Sequence, residues 1–468
     1  MFDTKIGKIF FIGIGGIGMS GIAEVLVNQG FEVAGSDISE NLNIARLRKL
    51  GVNINIGHST ENINGASIVV ISSAIERNNI ELTEARKKRI PIVKRAEMLA
   101  ELMRFKKTIA VAGTHGKTTT TSLMATILEN AKYDPTVING GVINSYNSNA
   151  KLGSSDWMVV EADESDGSFL KLPASFVIVT NIDAEHIDFY KSFKELKNAF
   201  KRFINNIPFY GAAIICIDDP TIQSIISEIE DKKIITYGLS PQADFRATNI
   251  VFKDSKTFFS LEISPKKDAS AKKIENMVSN IPGIHNVQNI LSVCSMAVEL
   301  GIELEIIKLA LLGFEGVNRR FSLIKNYKGI QIFDDYGHHP IEIKATLSAS
   351  REITNDKVVA IVQPHRYTRL KLLFEDFTSA FNDADIVFIT DIYSAGETNS
   401  FDLTNYTLIN ALISGGHKDV RAFNDKELKF LIENKLKNGD IVVFLGAGDI
   451  SSKARTFVEK TLNQHNDK

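Results

Sequence analysis

At 468 residues the chain is too long for one hydrophobic core and suggests about three domains by length. Hydrophobic residues make up 44% and charged residues 24%, and the formal net charge is −2, so no basic field gathers nucleic acid or anionic lipid and an anionic ligand must be held by local groups. The two cysteines, Cys216 and Cys294, each lie in an apolar run, which fits two buried thiols in a reducing, cytoplasmic compartment better than a disulfide framework.

The first block, residues 1–103, opens with a strand in KIFFIGIGG, a helix in GMSGIAEVLVNQG and a strand in FEVAGSD. It later gives the strand ASIVVISSAI and closes in the charged helix AEMLAELMRF. The uncharged run Ile9 to Ala23 superficially resembles a signal peptide. Its glycines weaken a hydrophobic helix, Glu24 interrupts it, and it falls short of the ~20 residues that span a bilayer. GIGGIGMSG satisfies G-x-G-x-x-G through Gly13, Gly15 and Gly18, and Asp37 follows the second strand where an NAD ribose ligand would sit. The pattern fits any pyrophosphate-containing ligand on a helix N-terminus, a nucleotide-sugar as well as a dinucleotide, and also a glycine turn needed only for packing.

The second block, residues 104–318, begins with TIAVAGTHGKTTTTS, an apolar strand running into a turn that ends in Gly116, Lys117 and Thr118. This is the chemistry of a nucleoside triphosphate site. Backbone N–H groups of Gly113, Thr114, His115, Gly116 and Thr119 face the phosphates, Lys117 reaches the outer ones, and Thr118 supplies a hydroxyl to Mg²⁺. The spacing departs from G-x-x-x-x-G-K-[ST], since Val111 stands five before Gly116 and the leading glycine is Gly113. In the helix that follows, Leu123, Met124, Ile127 and Leu128 share one face. Strands WMVVEADES, FVIVTNID and AAIICIDD come next, then alternating residues from Phe245 to Ile263 that suggest antiparallel strands, and, after PGIHN, a helix in VQNILSVCSMAVELG. The third block, residues 319–468, carries strands GIQIFDDYG, KVVAIVQPH, ADIVFITDI and DIVVFLGAG with helices between. Strands alternating with helices predict an α/β protein of parallel sheets.

Each of these strands ends in polar residues, as in VVEADES, VTNIDAEH, FDDYGHHP and VQPHRYTR, and parallel strands bind ligands at their carboxyl ends. Seven of the nine histidines, His58, His115, His186, His285, His338, His339 and His365, fall in turns beside such segments. Glu161 and His186 sit where both approach a Mg²⁺ held by Thr118 and the triphosphate. Carboxylate is the natural Mg²⁺ ligand, whereas imidazole is less usual, and a lone histidine is more often a capping or core residue. The polar neighbours Asn181, Asp183, Glu185 and Asp188 favour the metal reading for His186. Asp163, Glu164 and Asp166 read as solvated turn residues or as groups behind the metal ligands.

Taken together, GIGGIGMSGIAEVL, AGTHGKTTTTS, EADESDGSFL, VTNIDAEHID, PGIHNVQN, GVNRRFS, DDYGHHP, QPHRYTR, YSAGE and GAGDI resemble, in order, the blocks of the Mur ligases, and of their alanine-adding branch. The resemblance covers nearly the whole chain. It implies three domains: a Rossmann-like UDP-sugar-binding domain, a central P-loop ATPase with a mostly parallel sheet and added antiparallel strands, and a Rossmann-like C-terminal domain that closes over the ATP and amino acid sites. It further implies ATP and Mg²⁺ as cofactors and UDP-N-acetylmuramate and L-alanine as partners, with no nucleic acid or membrane partner and a monomer or weak homodimer. ATP would phosphorylate the lactyl carboxylate of the sugar, and the alanine amine would attack the acyl phosphate.

On this resemblance Lys117 meets the β/γ-phosphates, and Thr118, Glu161 and His186 surround one or two Mg²⁺ ions. Asn286 lies near adenine, and Arg320 and Asp335 contact ATP. Arg320 acts like an arginine finger, with an interdomain salt bridge as the plain alternative. Tyr336, His338, His365 and Arg366 resemble the alanine site, where a guanidinium suits the carboxylate and a histidine such as His338 accepts the ammonium proton. Gly15, Gly16, Gly18, Asp37, His58 and Ser72 match the UDP-sugar surface. Lys201, at the distance where other Mur ligases carry a carbamylated lysine, reads as a solvated surface charge. Three alternatives remain: a murein peptide ligase joining a recycled tripeptide to the same sugar, an NAD-dependent oxidoreductase, and a catalytically silent UDP-sugar sensor.

Overall fold

The structure is a computed structural model that describes residues 6–253, 255–264 and 272–462, apart from the side chains at 188 and 461. Short apolar strands form three sheets. The first is wholly parallel, with β1 (Lys8–Ile12), β2 (Val33–Asp37), β3 (Asn53–Ile56), β4 (Ala66–Ile71) and β5 (Ile92–Lys94) in the order β3-β2-β1-β4-β5. The strand order reverses beside β1, the place where such sheets bind ligands, and the helix Ile17–Asn28 starts there. Strands β3 and β5 are short and partly exposed, which is why the hydrophobic pattern did not announce them.

The second sheet holds β6 (Lys107–Ala112), β7 (Thr136–Ile143), β8 (Ser148–Lys151), β9 (Trp157–Glu161), β10 (Phe176–Val179), β11 (Ala213–Cys216), β12 (Ile234–Gly238), β13 (Phe245–Lys253), β14 (Lys256–Ile263) and β15 (Lys272–Ser279). Their order is β15-β14-β13-β12-β11-β10-β6-β9-β7-β8. From β7 to β13 the strands run parallel, and β8 is antiparallel to β7. Two residues separate the neighbours β13 and β14, a connection that only an antiparallel pair permits, as the alternation from Phe245 to Ile263 suggested. The third sheet has β16 (Ser322–Tyr327), β17 (Ile330–Asp335), β18 (Val358–Val362), β19 (Ile386–Ile389), β20 (Val420–Ala422) and β21 (Ile441–Leu445) in the order β16-β17-β21-β18-β19-β20, parallel except for β16.

The chain divides into two compact units, Met1–Asn249 with Phe259–Val278 and Gln288–Glu315, and Ile250–Phe258 with Ser279–Val287 and Gly316–Lys468. Within the first unit, Glu24 turns out to be more than a break in an apolar run. It is buried in the helix Ile17–Asn28, where it accepts hydrogen bonds from Arg46 Nε at 2.9 Å and Ser148 Oγ at 3.0 Å. Arg46 also bonds Asn149, whose amide donates to Ile17 O at 2.6 Å, so the end of β8 is fastened to the glycine-turn helix.

The helix Lys117–Asn130 after β6 is buried from Thr118 through Ala125 and again at Ile127 and Leu128. One apolar face was expected. The helix instead packs between β7 and β9 on one side and the helix Leu304–Gly313 on the other, so its threonines are enclosed as well. Among the described residues no helix is long and apolar enough to cross a membrane.

Candidate active site

Strand β6 lies between β10 and β9 and delivers the turn Gly113–Gly116 to the carboxyl edge of the second sheet. Gly113 has φ +137° and Gly116 φ +82°, the latter as the N-cap of helix Lys117–Asn130, with no side chain capping its first turn. A Cβ on Gly113 would collide with Thr180 Oγ1 and approach the backbone nitrogens of Thr180 and Asn181 to 3.1 and 3.2 Å. One on Gly116 would meet Asn289 Oδ1 at 2.6 Å. Gly113→Ala is therefore expected to destabilise the protein by about 1–3 kcal/mol, because both the backbone angle and the space reject it. Thermal unfolding checks this, and an unchanged midpoint contradicts it.

The end of β10 braces the loop. Asn181 Oδ1 accepts from His115 N at 2.8 Å, Asn181 O accepts from Thr114 N at 3.0 Å, and Thr180 Oγ1 donates to His115 O at 2.6 Å. Asp183 N donates to Thr114 Oγ1 at 2.9 Å, and the His115 imidazole sits 3.0 Å from the Asp183 carboxylate. These braces fix a row of backbone groups at an uncapped helix N-terminus, an arrangement whose free N–H groups and dipole suit an anion.

Lys117 Nζ donates to Gly113 O at 2.5 Å, to Thr114 O at 3.0 Å and to Glu164, whose Oε2 is 2.9 Å away. Burial disfavours its charge, but Glu164 and Glu161 outweigh that and raise its pKa. Glu164 is 1% exposed, so it is the buried counter-ion of Lys117; the solvated-turn reading fails because the turn folds inward, with Tyr190 Oη donating to Glu164 O at 2.5 Å. Asp163 lies 3.3 Å from Arg95, and Asp166 accepts from Ser168 N at 3.0 Å. His186 has φ +57° at the start of the turn Ile187–Tyr190, with Nε2 3.9 Å from Glu164 and 3.6 Å from Glu185.

Glu161, at the end of β9, accepts from Gly140 N at 2.8 Å through Oε2, while among the described residues Oε1 has no hydrogen-bond partner. Thr118 is buried in the first helical turn. A carboxylate and a hydroxyl are the oxygen donors Mg²⁺ takes, and imidazole is the less usual addition. Among the described residues no three His, Cys, Asp or Glu side chains form a cation cage.

In the first sheet the glycine turn is tied to β2. Asp37 accepts from Gly15 N and from Ile38 N, each at 2.8 Å, and the side chains of Asn41 and Asn43 donate to Gly15 O. Gly16 caps the helix that follows, again without a side-chain cap, and a Cβ on Gly18 would press on the Arg95 guanidinium at 3.1 Å. His58, in the loop after β3, lies 2.7 Å from Glu81. Ser72 follows β4, half-buried, and its carbonyl accepts from Ile75 N at 3.3 Å.

In the second unit, Asp335 at the end of β17 is buried and accepts from Phe321 N and Gly337 N, both at 2.7 Å, and from Thr346 Oγ1. Its pKa is raised because burial outweighs Arg320 and these donors. The guanidinium groups of Arg319 and Arg320 lie 4.9 and 5.1 Å from the Tyr336 ring, and Arg320 is 3.9 Å from Glu342. Tyr336, His338, His365 and Tyr393 follow one another as ring contacts at 5.3, 5.6 and 5.4 Å, so three of the four residues expected at an amino acid site do meet. The fourth, Arg366, has φ +67° and donates its N–H to Tyr393 O at 2.8 Å. Asn286 Nδ2 donates to Pro282 O at 2.6 Å.

His285 was expected in a turn but occupies the second position of the helix Ile284–Glu299, because Gly283 at φ +105° ends the turn one residue earlier. Desolvation, with Arg320 adding to it, pushes His285 down to about 4; desolvation and then His338 do the same to His365. The ordinary value is 6.5, so as pH falls the unfolded chain takes up these protons first. Stability that is complete above pH 6.5 is lost towards pH 4. The unfolding midpoint of wild type should fall more steeply between about pH 6.5 and 5 than that of a His285→Gln, His365→Gln variant, and equal slopes would contradict this.

Thr180, Arg319, Tyr393 and Glu81 were not singled out by the sequence; Asn181 was read only as a polar neighbour of His186, and Glu164 as a turn residue or a group behind the metal ligands, while the polar strand end VTNID alone pointed towards Thr180.

These features define a P-loop ATPase of the α/β class that carries a Rossmann-like domain on either side of it in the chain. Three family models match in succession: Mur ligase family, catalytic domain, over residues 8–107; Mur ligase middle domain, over 111–297; and Mur ligase, glutamate ligase domain, over 319–448. The chain belongs to the Mur ligase family. It is 52% identical to the UDP-N-acetylmuramate--L-alanine ligase of Bradyrhizobium diazoefficiens, over 96% of this chain and 97% of that protein. With the enzyme of the same name from Methylorubrum extorquens it shares 53% identity over 96% of both. The crystal structure of UDP-N-acetylmuramate-alanine ligase from Thermotoga maritima matches 97% of this chain and 98% of its own, with a TM-score of 0.81 and 32% identity. A murein peptide ligase from Psychrobacter arcticus matches 97% of this chain and 99% of its own with a TM-score of 0.71 at 23% identity, a likeness of fold alone.

Proposed function

We propose that this chain is an ATP-dependent ligase that joins L-alanine to the lactyl carboxylate of UDP-N-acetylmuramate in cytoplasmic synthesis of peptidoglycan precursors. The observation that carries this reading is the braced loop Gly113–Thr118 with its partly buried Lys117, in a chain 51–53% identical over most of its length to alanine-adding ligases. A carboxylate oxygen of the sugar attacks the γ-phosphorus, ADP leaves, and an acyl phosphate remains. The neutral amine of alanine then adds to the acyl carbon, and the tetrahedral adduct collapses by breaking the carbon–oxygen bond to phosphate, which leaves with the second amine proton. The products are ADP, phosphate and UDP-N-acetylmuramoyl-L-alanine.

Lys117 and the N–H groups of Gly113 to Thr119 hold the β/γ-phosphates against their own repulsion. Thr118, Glu161 and His186 would hold Mg²⁺, which when bound neutralises charge on the triphosphate. Asn286 is assigned to adenine, Arg320 and Asp335 to ATP, and Tyr336, His365 and Arg366 to alanine. His338 takes the ammonium proton. Gly15, Gly16, Gly18, Asp37, His58 and Ser72 are assigned to the UDP-sugar. Domains of 1–103, 104–318 and 319–468 divide these tasks, and the protein works as a monomer or weak homodimer. Lys201, 2.7 Å from Glu228 at the surface, needs no carbamylation in this scheme. UDP-N-acetylmuramate labelled with ¹⁸O in its lactyl carboxylate tests the route: one labelled oxygen is expected in the released phosphate, and unlabelled phosphate would overturn the acyl phosphate.

A further inference from the structure

Glu81 is a fully buried carboxylate that the scheme above does not use. It is the second residue of the helix Ile80–Lys87, which Asn79 caps through Leu82 N. Its Oε2 accepts from Ser36 Oγ at 2.6 Å and lies 2.7 Å from His58 Nδ1; its Oε1 accepts from Asn62 Nδ2 at 2.6 Å and Ser59 N at 3.4 Å. Among the described residues no lysine or arginine pairs with it. Ser36 immediately precedes Asp37, the residue that ties down Gly15. Glu81 therefore joins the end of β2, the loop after β3 and a helix N-terminus around one imidazole.

As a stabilising device this arrangement is poor, since apolar residues commonly replace buried ionic groups at no loss of stability. As an orienting device it is effective. A carboxylate that accepts from Nδ1–H fixes the tautomer and ring plane of a histidine and leaves Nε2 for a ligand. The His58 side chain is 20% exposed, and among the described residues its Nε2 has no hydrogen-bond partner.

We infer that Glu81 is a positioning residue for nucleotide binding: it holds His58 so that Nε2 makes a hydrogen bond to the nucleoside-diphosphate part of the sugar substrate. This rests on the UDP-sugar reading of the first domain.

Calorimetric titration with UDP and with UDP-N-acetylmuramate, ATP absent, tests it on wild type, His58→Ala, Glu81→Gln and the double variant. Each single change is expected to weaken both ligands about tenfold, the loss of one buried hydrogen bond, and the double variant to bind no more weakly than His58→Ala alone. In turnover, Glu81→Gln raises KM for the sugar while kcat and KM for ATP hold, a split that a general loosening of the fold does not produce. Should Glu81→Gln fail to fold, Glu81→Asp, which keeps the charge and shortens its reach, enters the same cycle. Undiminished binding by the folded Glu81 variant, or losses that multiply in the double variant, overturn the inference alone. Wild-type protein that binds neither UDP nor the UDP-sugar overturns the functional reading and this inference with it.

Discussion

Lys117→Ala is expected to lower kcat by about 10³-fold or more while UDP-N-acetylmuramate still binds. The ammonium group is the one Lys or Arg cation among the described residues of the loop Gly113–Thr118, and it already donates to two loop carbonyls and to Glu164. Removing it also leaves Glu164, whose pKa burial already pushes up to about 7, as a buried carboxyl group without its counter-charge, which destabilises the fold. Loss of activity alone would thus be ambiguous. The variant Lys117→Ala, Glu164→Gln removes the stranded charge, so its unfolding midpoint should recover while its turnover stays lost. A double variant that recovered activity would show that Lys117 serves the fold and not the phosphates.

Arg320→Ala is the second large effect, a drop of roughly 10³ to 10⁵ in kcat if its guanidinium meets the transferring phosphoryl group. The plain alternative is a structural ion pair. At 3.9 Å from Glu342, with its side chain 29% exposed, that pair is worth about 0–1 kcal/mol and its loss would leave turnover nearly intact. Steady-state rates and thermal unfolding together separate the two: a collapsed kcat with an unmoved midpoint supports the catalytic role, and a modest change in both supports the ion pair.

The parts of this protein that were legible in its sequence are those where chemistry forces a residue type. A turn at positive φ needs Gly113 and Gly116, an uncapped helix start suits phosphate, and parallel strands carry their polar residues at one edge. Strands β1, β4, β6, β9, β10, β11, β17, β18, β19 and β21 stood out as apolar runs because they lie largely within sheets covered on both faces. The short strands β3, β5 and β20 carry too few buried residues for a pattern to show. Burial of a polar side chain is set by tertiary contacts, so Glu24 read only as a break in an apolar run and Glu81 went unmarked, although the fold encloses both. For the same reason the sequence offered no choice between a solvated-turn Glu164 and one behind the metal ligands, and its pairing with Lys117, 47 residues away, went unread.

Phosphate release from ATP and Mg²⁺ in the presence of UDP-N-acetylmuramate, with and without L-alanine and with mass analysis of the product, tests the central claim most directly. Alanine-dependent release with formation of UDP-N-acetylmuramoyl-L-alanine is the predicted result. Turnover triggered by the tripeptide L-alanyl-γ-D-glutamyl-diaminopimelate and not by alanine, or no turnover with either, would contradict it.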